Sequence, residues 1–154
     1  MKKIKLLVVV CCIFLMSMPV CAKEVNGIGT AFEISFTLSD GKAIVTKITG
    51  NGDAIIPETV LFQSKTYKVV EIADNACKNQ KIAKVTIPKN VTKIGKNAFN
   101  GCTKLKTITI KSTKLKSIGK DAFKKIHKKA VVKVPTNKYN KYSKLLKNMK
   151  IKKI

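Results

Sequence analysis

The sequence predicts a β-rich solenoid, in which short parallel strands stack coil upon coil and are joined by short helical or irregular corners. The main observation is repetition: Ile94-Gly95-Lys96 returns as Ile118-Gly119-Lys120, and Ala98-Phe99 returns as Ala122-Phe123, both at an offset of 24 residues. The second observation is that an alternating apolar stretch precedes each copy. A period of this length predicts a solenoid of the leucine-rich class, because one coil cannot bury its apolar face without a neighbour.

The chain opens with a segment typical of export. Residues 1–5 carry three lysines, residues 6–16 form an apolar run of 11, and small Val20 and Ala22 precede the expected cleavage point. Such a run is about half as long as a membrane-spanning helix. We therefore expect residues 1–22 to be a signal peptide, leaving no transmembrane segment. A membrane anchor and a lipid-modified Cys21 are the alternatives, but "MPVC" departs from the usual lipobox.

Residues 23–52 are predicted to form an N-terminal β cap. Within them, "TAFEISFTLSDGKAIVTKITG" (30–50) contains two alternating stretches on either side of the turn signal Ser-Asp-Gly-Lys. This pattern predicts a β-hairpin. A hairpin in this place would shield the first coil of the solenoid.

Residues 53–136 are predicted to hold about three repeat units and a final strand. The clearest units are 85–107 and 108–130, and 131–135 provides the last strand. A degenerate unit precedes them, in which Ile72 matches Ile94 and Cys77 matches Phe99.

The strand "KTITI" shows how the residues of a coil are used. Alternation directs Ile108 and Ile110 to one face and Thr107 and Thr109 to the other. One face is therefore core and the other is a solvent-facing parallel sheet. The core side is predicted to stack on the apolar residues of the neighbouring strands, Val85, Ile87, Val132 and Val134.

A corner is predicted to follow the short apolar turn of each coil. Gly95 and Gly119 are interpreted as permitting a tight turn, and the side chains of Asn97 and Asp121 as capping the corner. The corners then fill the interior with equivalent pairs, Ala98-Phe99 and Ala122-Phe123.

Residues 137–154 are predicted to form a C-terminal cap helix and tail. Apolar side chains recur there at helical spacing: Tyr139, Tyr142, Leu145, Leu146 and Met149. Because the array needs a lid over its last coil, we interpret the helix as a cap. The alternative is a basic amphipathic helix lying on an anionic membrane.

Several of these phrases carry a family resemblance. "VTIPKNVTKIGKNAFNGCTKLKTITI", "SIGKDAF" and "KTYKVVEIADNAC" closely resemble the BspA-like leucine-rich repeats of secreted and surface-attached bacterial proteins, over about residues 53–148. The resemblance implies a leucine-rich-repeat solenoid with an adhesion or recognition role and no catalytic role. Cys77 stands where the family usually has Phe, and Lys125-Ile126 where it has Gly-Cys. These departures imply looser packing at both ends of the array.

Two cysteines, Cys77 and Cys102, remain once the leader is removed. Two thiols do not make a disulfide scaffold. They either pair, if the fold brings them together, or remain buried free thiols, which is the interpretation we favour.

The charge is distributed unevenly along the chain. Residues 23–74 carry a net charge of −2, whereas residues 75–154 carry 24 lysines against Asp121 alone, a net +23. All 32 basic residues are lysine. Because lysine lacks the bidentate fork of arginine, we expect any attraction to polyanions to be diffuse and sensitive to salt.

The sequence offers little for catalysis. The single histidine, His127, lies in the lysine-rich "KKIHKKA" with Asp121 as its nearest acid, and no serine has a nucleophile motif around it. His127, Cys77 and Cys102 lack the spacing of a metal site. We therefore predict a non-enzymatic protein without cofactor or metal.

Two binding hypotheses remain for a secreted or loosely surface-associated protein. In the first, the outer face of the sheet recognises a host or matrix protein or glycan. Its candidate residues are Lys84, Thr86, Thr107, Thr109, Val131 and Lys133. In the alternative, exposed lysines retain the protein on an anionic polymer such as wall polymer, glycosaminoglycan or DNA. The candidate contacts for that hypothesis are Lys81, Lys104, Lys116, Lys120, Lys124 and Lys128.

Overall fold

A computed structural model describes residues 6–8, 32–147 and 149–154 of the chain. This part contains eleven strands, one 3-10 turn (Thr136–Lys138) and one short helix, α1 (Tyr139–Leu145). The strands are, in chain order, β1 (Leu6–Val8), β2 (Phe32–Ser39), β3 (Lys42–Ile55), β4 (Thr59–Phe62), β5 (Lys65–Ile72), β6 (Lys81–Ile87), β7 (Lys93–Ile94), β8 (Thr107–Ile110), β9 (Ser117–Ile118), β10 (Val131–Val134) and β11 (Lys150–Lys153).

The strands form a curled parallel array with two wings. The strand order is β11-β10-β8-β6-β3-β5-β7-β9. We call β3, β6, β8, β10 and β11 the wide wing and β5, β7 and β9 the narrow wing. Each repeat unit supplies one strand to each wing, so that Lys84 lies beside Thr107 and Lys93 beside Ser117 in parallel register. The predicted solenoid and its offset are thereby confirmed.

The N-terminal hairpin is formed by β2 and β3 around a turn at Asp40 and Gly41. The beginning of β3 pairs with β5, and its end pairs with β6 from Asn51 onward, with a bulge between Gly52 and Asp53. One strand therefore serves both the hairpin and the first repeat, and residue 52, the predicted end of the cap, lies inside it. The predicted signal peptide, residues 1–22, lies outside the described residues except for β1, which pairs with β2.

The core of the wide wing follows the predicted alternation. Ile108 and Ile110 are fully buried, and Val85 and Val132 lie beside Ile108 on either side. Parallel strands about 4.8 Å apart bring each apolar side chain against its equivalent in the next coil, where burial stabilises each by roughly 1.5–3 kcal/mol.

The corners stack through a ladder of backbone hydrogen bonds. We call residues 72–80, 94–102 and 118–126 the first, middle and last corners. The N–H of Cys77 donates to the Ala98 carbonyl at 2.7 Å, and the N–H of Phe99 donates to the Ala122 carbonyl at 2.8 Å. These bonds confirm that Cys77 occupies the position of Phe99 in its own coil. The rings of Phe99 and Phe123 stack at 5.3 Å between centroids, but Phe99 is fully buried and Phe123 only partly.

The polar residues of the corners have a different role from the predicted one. Asn97 and Asp121 have positive φ angles of 54° and 58°, as does Asn75 in the first corner at 58°. Asn and Asp tolerate this left-handed conformation better than most residues. No backbone N–H within the described part donates to the side chain of Asn97 or Asp121, so the prediction of side-chain capping is wrong.

The reason for the repeated glycine is also different from the predicted one. A Cβ on Gly95 would collide with the backbone of Asp74, and a Cβ on Gly119 would collide with the backbone of Lys96. Neither glycine has a positive φ. The absence of a side chain therefore serves the close approach of consecutive coils, and not a special turn conformation.

The C-terminal segment covers part of the last coil. Tyr142 of α1 is fully buried, its hydroxyl donates to the Ser112 carbonyl at 2.8 Å, and it accepts from the Leu115 N–H at 3.1 Å. Burial raises the pKa of Tyr142. Within the predicted tail, residues 150–153 form a strand that was not predicted, β11, which lies beside β10 with Ile151 next to Val132. An added strand satisfies the edge that β10 would otherwise expose.

Cys77 and Cys102 are free and buried, as expected. The Cys102 thiol donates to the Cys77 carbonyl at 2.9 Å. A hydrogen bond of the Cys77 thiol to the Cys102 sulfur, together with burial, raises the pKa of Cys77. The Cys77 thiol is therefore protonated and a poor nucleophile.

Candidate binding surfaces

The structure brings the six candidate face residues together on the outer surface of the wide wing. They lie on β6, β8 and β10 and form two rows across these strands. Lys84, Thr107 and Val131 make one row. Thr86, Thr109 and Lys133 make the other. Lys84 and Lys133 are exposed and the other four are partly exposed, because alternation turns all six away from the core.

Both rows extend further than the sequence indicated. On one side β3 adds Asp53 beside Lys84 and Ile55 beside Thr86. On the other side β11 places Lys150 beside Val131 and Lys152 beside Lys133. Each row is thus five residues wide, spanning about 19 Å at the usual spacing of strands. The alternation in "KIKK" was the only signal for β11, because its offset from β10 is 19 residues and not 24.

The charge changes from one end of this surface to the other. At the β3 end, Lys84 forms an ion pair with Asp53 at 2.8 Å, and both side chains are about half exposed or more. Such exposed pairs contribute little to stability. At the β11 end, Lys133, Lys150 and Lys152 are exposed and have no acid beside them in the paired strands. Ile55, 45% exposed, adds the one large apolar side chain of the surface.

The six candidate polyanion contacts are all exposed, but they do not form one row. Lys81 begins β6, and Lys104 and Lys128 precede β8 and β10. Lys116 precedes β9. Lys120 and Lys124 lie in the last corner, where Lys124 is 3.4 Å from the carboxylate of Asp121. The structure therefore divides them between the two wings.

A depression of about 420 Å³ lies on the narrow wing and the hairpin, and sequence reasoning missed it. The residues that line it are Thr37, Ser39, Asp40, Lys42, Ile44, Val70, Glu71 and Thr92. Glu71 also pairs with Lys93 at 2.8 Å, and this hydrogen bond raises the pKa of Lys93. No sequence motif links the residues of β2 to Thr92, which precedes β7. Only the register of the strands shows that they lie around one depression.

The His, Cys, Asp and Glu side chains of the described residues do not gather into a metal site. His127 is partly exposed, and its Nδ1 accepts a hydrogen bond from the Lys129 N–H at 3.1 Å. In this part of the chain no group of three His, Cys, Asp or Glu side chains is placed to hold a metal ion. Likewise, none of the described helices is long and apolar enough to cross a membrane.

Comparison with known proteins points to repeat proteins of bacteria. Residues 67–154 match the BspA type leucine rich repeat region in six copies. No protein with a curated description matches the chain.

Solved structures of leucine-rich repeat proteins also resemble the chain. A leucine rich cell surface protein from Faecalibacterium prausnitzii is 34% identical, with a TM-score of 0.55, over 66% of this chain and 30% of that one. A leucine-rich repeat protein from Bacteroides capillosus is 25% identical, with a TM-score of 0.58, over 77% of this chain and 94% of that one. The leucine rich repeat protein of T. pallidum is 27% identical, with a TM-score of 0.52, over 66% and 51% of the two chains.

Proposed function

The chain belongs to the BspA-type leucine-rich repeat family, and we propose that it is a non-catalytic binding module, secreted or held at the cell surface. In this proposal it recognises a host or matrix protein or glycan through the outer surface of the wide wing. The chain spans 30% of the length of the Faecalibacterium protein, whose description as a cell surface protein supports the location.

The observation that carries the proposal is the pair of registered rows on β3, β6, β8, β10 and β11. Parallel pairing holds their side chains at a fixed spacing, so that a ligand meets a preformed surface and little ordering is needed on binding. Thr86, Thr107 and Thr109 provide hydroxyl groups that donate and accept hydrogen bonds. Ile55 and Lys133 add an apolar contact and a charge on the same surface.

This surface is tested by binding to a panel of immobilised matrix proteins and glycans. Thr109→Lys places a bulky cation at the centre of the two rows, whereas Thr113→Lys adds the same charge at an exposed position outside them. We expect the first variant to lose binding to the selected ligand by about tenfold or more and the second to retain it. Normal binding by Thr109→Lys to every ligand of the panel would contradict the proposal.

Retention on an anionic polymer is the second candidate function. The observation that favours it is the net +23 of residues 75–154, together with the exposure of Lys81, Lys104, Lys116, Lys120, Lys124 and Lys128. Since these lysines are spread over both wings, the attraction is diffuse and each contributes a similar small share.

Heparin binding distinguishes the two functions. We expect affinity for heparin to fall steeply with salt and to weaken by similar small steps when Lys104, Lys116 or Lys128 is changed to Gln. Thr109→Gln, which leaves the charge unchanged, is the matched control and should not alter heparin binding. Affinity that does not respond to salt, or that depends on one lysine alone, would contradict diffuse retention.

A further inference from the structure

Within the part of the chain that the structure describes, the corner ladder ends at the last corner, and its backbone donors meet no acceptor there. The N–H groups of Asn97, Phe99 and Gly101 donate to the carbonyls of the last corner at 3.0, 2.8 and 3.0 Å. The equivalent donors one coil further on are the N–H groups of Asp121, Phe123 and Lys125. Among the described residues, none of these three N–H groups meets an acceptor. Unpaired backbone groups in a row are a template for another chain.

Apolar side chains accompany this row of donors. Ile118, Phe123 and Ile126 are only partly buried, whereas their equivalents in the middle corner, Ile94, Phe99 and Cys102, are fully buried. The C-terminal segment covers a different part of the same coil: Tyr142 bonds to Ser112 and Leu115, and β11 pairs with β10. In the strand order of the described part, β9 is the outermost strand of the narrow wing.

We propose that the last corner is a docking edge for a segment of another protein that adopts the shape of one further coil and carries acidic side chains. Its carbonyls would accept from Asp121, Phe123 and Lys125, and an apolar side chain would cover the exposed part of Phe123. The stack of Phe99 on Phe123 shows how such a side chain packs. This edge is separate from the outer surface of the wide wing, so the inference does not depend on the proposed function.

A second copy of the chain does not match this edge. A two-fold pairing of last corners would place donors against donors. A head-to-tail contact would need three free acceptors on the first corner, but among the described residues the Ala76 carbonyl already accepts from the Ile48 N–H at 2.6 Å and the Lys78 carbonyl from the Gln80 side chain at 3.3 Å, which leaves the Asp74 carbonyl. A segment of a different protein can offer all three carbonyls and is therefore the better match.

The charge of the edge defines the chemistry of the occupant. Lys120, Lys124 and Lys125 are exposed there, against Asp121 alone. Between the first and middle corners the array already shows an acid over the next coil, where the Asp74 carboxylate accepts from the Lys96 N–H at 2.7 Å. That contact is with a backbone N–H, whereas an occupant with acids at the positions next to Lys120 and Lys124 would meet the exposed lysine side chains themselves.

The test uses a synthetic peptide that copies residues 117–126 with the changes Lys120→Glu and Lys124→Glu. Backbone amide hydrogen exchange of the protein is followed by NMR with and without this peptide. Without it, we expect the amides of Asp121, Phe123 and Lys125 to exchange much faster than those of Asn97, Phe99 and Gly101. With saturating peptide, protection of the first three should rise by about tenfold or more, since each gains a buried hydrogen bond.

Matched controls separate docking from charge attraction. The unaltered copy of residues 117–126 and a scrambled peptide of the acidic composition should not protect the three amides. Phe123→Ser should abolish the effect of the acidic peptide, while continued protection of the Phe99 amide shows that the corner is still folded. Lys124→Gln should weaken peptide binding by about threefold, and Lys141→Gln on α1 should leave it unchanged.

Three outcomes would overturn the inference. The first is binding of the acidic peptide without protection of the three amides, which would mean diffuse attraction only. The second is equal protection by the scrambled peptide. The third is protection of these amides without peptide together with dimerisation, because a second copy would then occupy the edge.

Discussion

The middle and last corners share the motif Ile-Gly-Lys-x-Ala-Phe, yet they have different surroundings. The middle corner lies between two coils, and Ile94, Ala98 and Phe99 are fully buried. Among residues 32–147 and 149–154, the last corner has a coil on one side only, and Ile118 and Phe123 remain partly exposed. The difference shows that in a stacked array the contribution of a residue to stability depends on its neighbours in the next coil as much as on its own motif.

The largest expected effect comes from the stacked phenylalanines. Phe99→Ala should lower the free energy of unfolding by about 3–5 kcal/mol, because it removes a fully buried ring and leaves a cavity between coils. Phe123→Ala should lower it by about 1–2 kcal/mol, because part of that ring is already exposed. Urea titration of both variants measures the difference. If both variants lost the same free energy of unfolding, the last corner would be covered as completely as the middle one.

The two glycines should behave alike in both corners, because each faces the preceding coil and not the following one. A Cβ on Gly95 meets the backbone of Asp74, and a Cβ on Gly119 meets the backbone of Lys96. Gly95→Ala and Gly119→Ala should therefore each cost about 1–3 kcal/mol of unfolding free energy, in spite of their different positions in the array. Thermal unfolding of the two variants is the measurement. A Gly119→Ala variant as stable as the unchanged protein would show that the last corner moves away freely.

Tyr142 tests what holds the C-terminal segment against the last coil. Tyr142→Phe leaves the buried Leu115 N–H and Ser112 carbonyl without their partner, so the free energy of unfolding should fall by about 1–3 kcal/mol. Tyr139→Phe is the matched control, because the Tyr139 ring instead faces Lys153, 5.1 Å from the ring centroid. If the two changes had the same effect, the hydrogen bonds of Tyr142 would not be what fastens the C-terminal segment.

Features that repeat along the chain could be predicted from the sequence, and features that occur once could not. The alternation in 107–110 and the offset from Ile94 to Ile118 fix the strands and the face residues, because every coil repeats the same local pattern. The extension of the rows by β3 and β11 depends on a bulge and on a shorter offset of 19 residues, which break the period. Looser packing was expected at both ends of the array; Phe123 and Ile126 are indeed partly exposed in the last corner, but Cys77 in the first corner is fully buried. Which part of the last coil stays exposed could not be predicted, since it follows from where the C-terminal segment packs.

The smallest expected effect is a gain in stability, and it concerns the end of each corner. Gly101 and Lys125 occupy equivalent positions and both have positive φ, 79° and 53° respectively. A side chain is unfavourable in this conformation, and glycine adopts it without that cost but loses more backbone entropy on folding. Lys125→Gly should therefore raise the free energy of unfolding by about 0.5–1 kcal/mol.

The neighbouring residue provides the control for this last change. Lys124 is exposed like Lys125 but does not have a positive φ, so Lys124→Gly removes the same charge and should lower stability by a similar amount. The two variants thus have opposite expected signs at the same net charge, and urea titrations at one salt concentration compare them directly. If both changes raised stability, relief of the repulsion between lysines would explain the gain. If both lowered it, the strain at Lys125 would be negligible. The last corner would then tolerate a side chain where the middle corner has glycine.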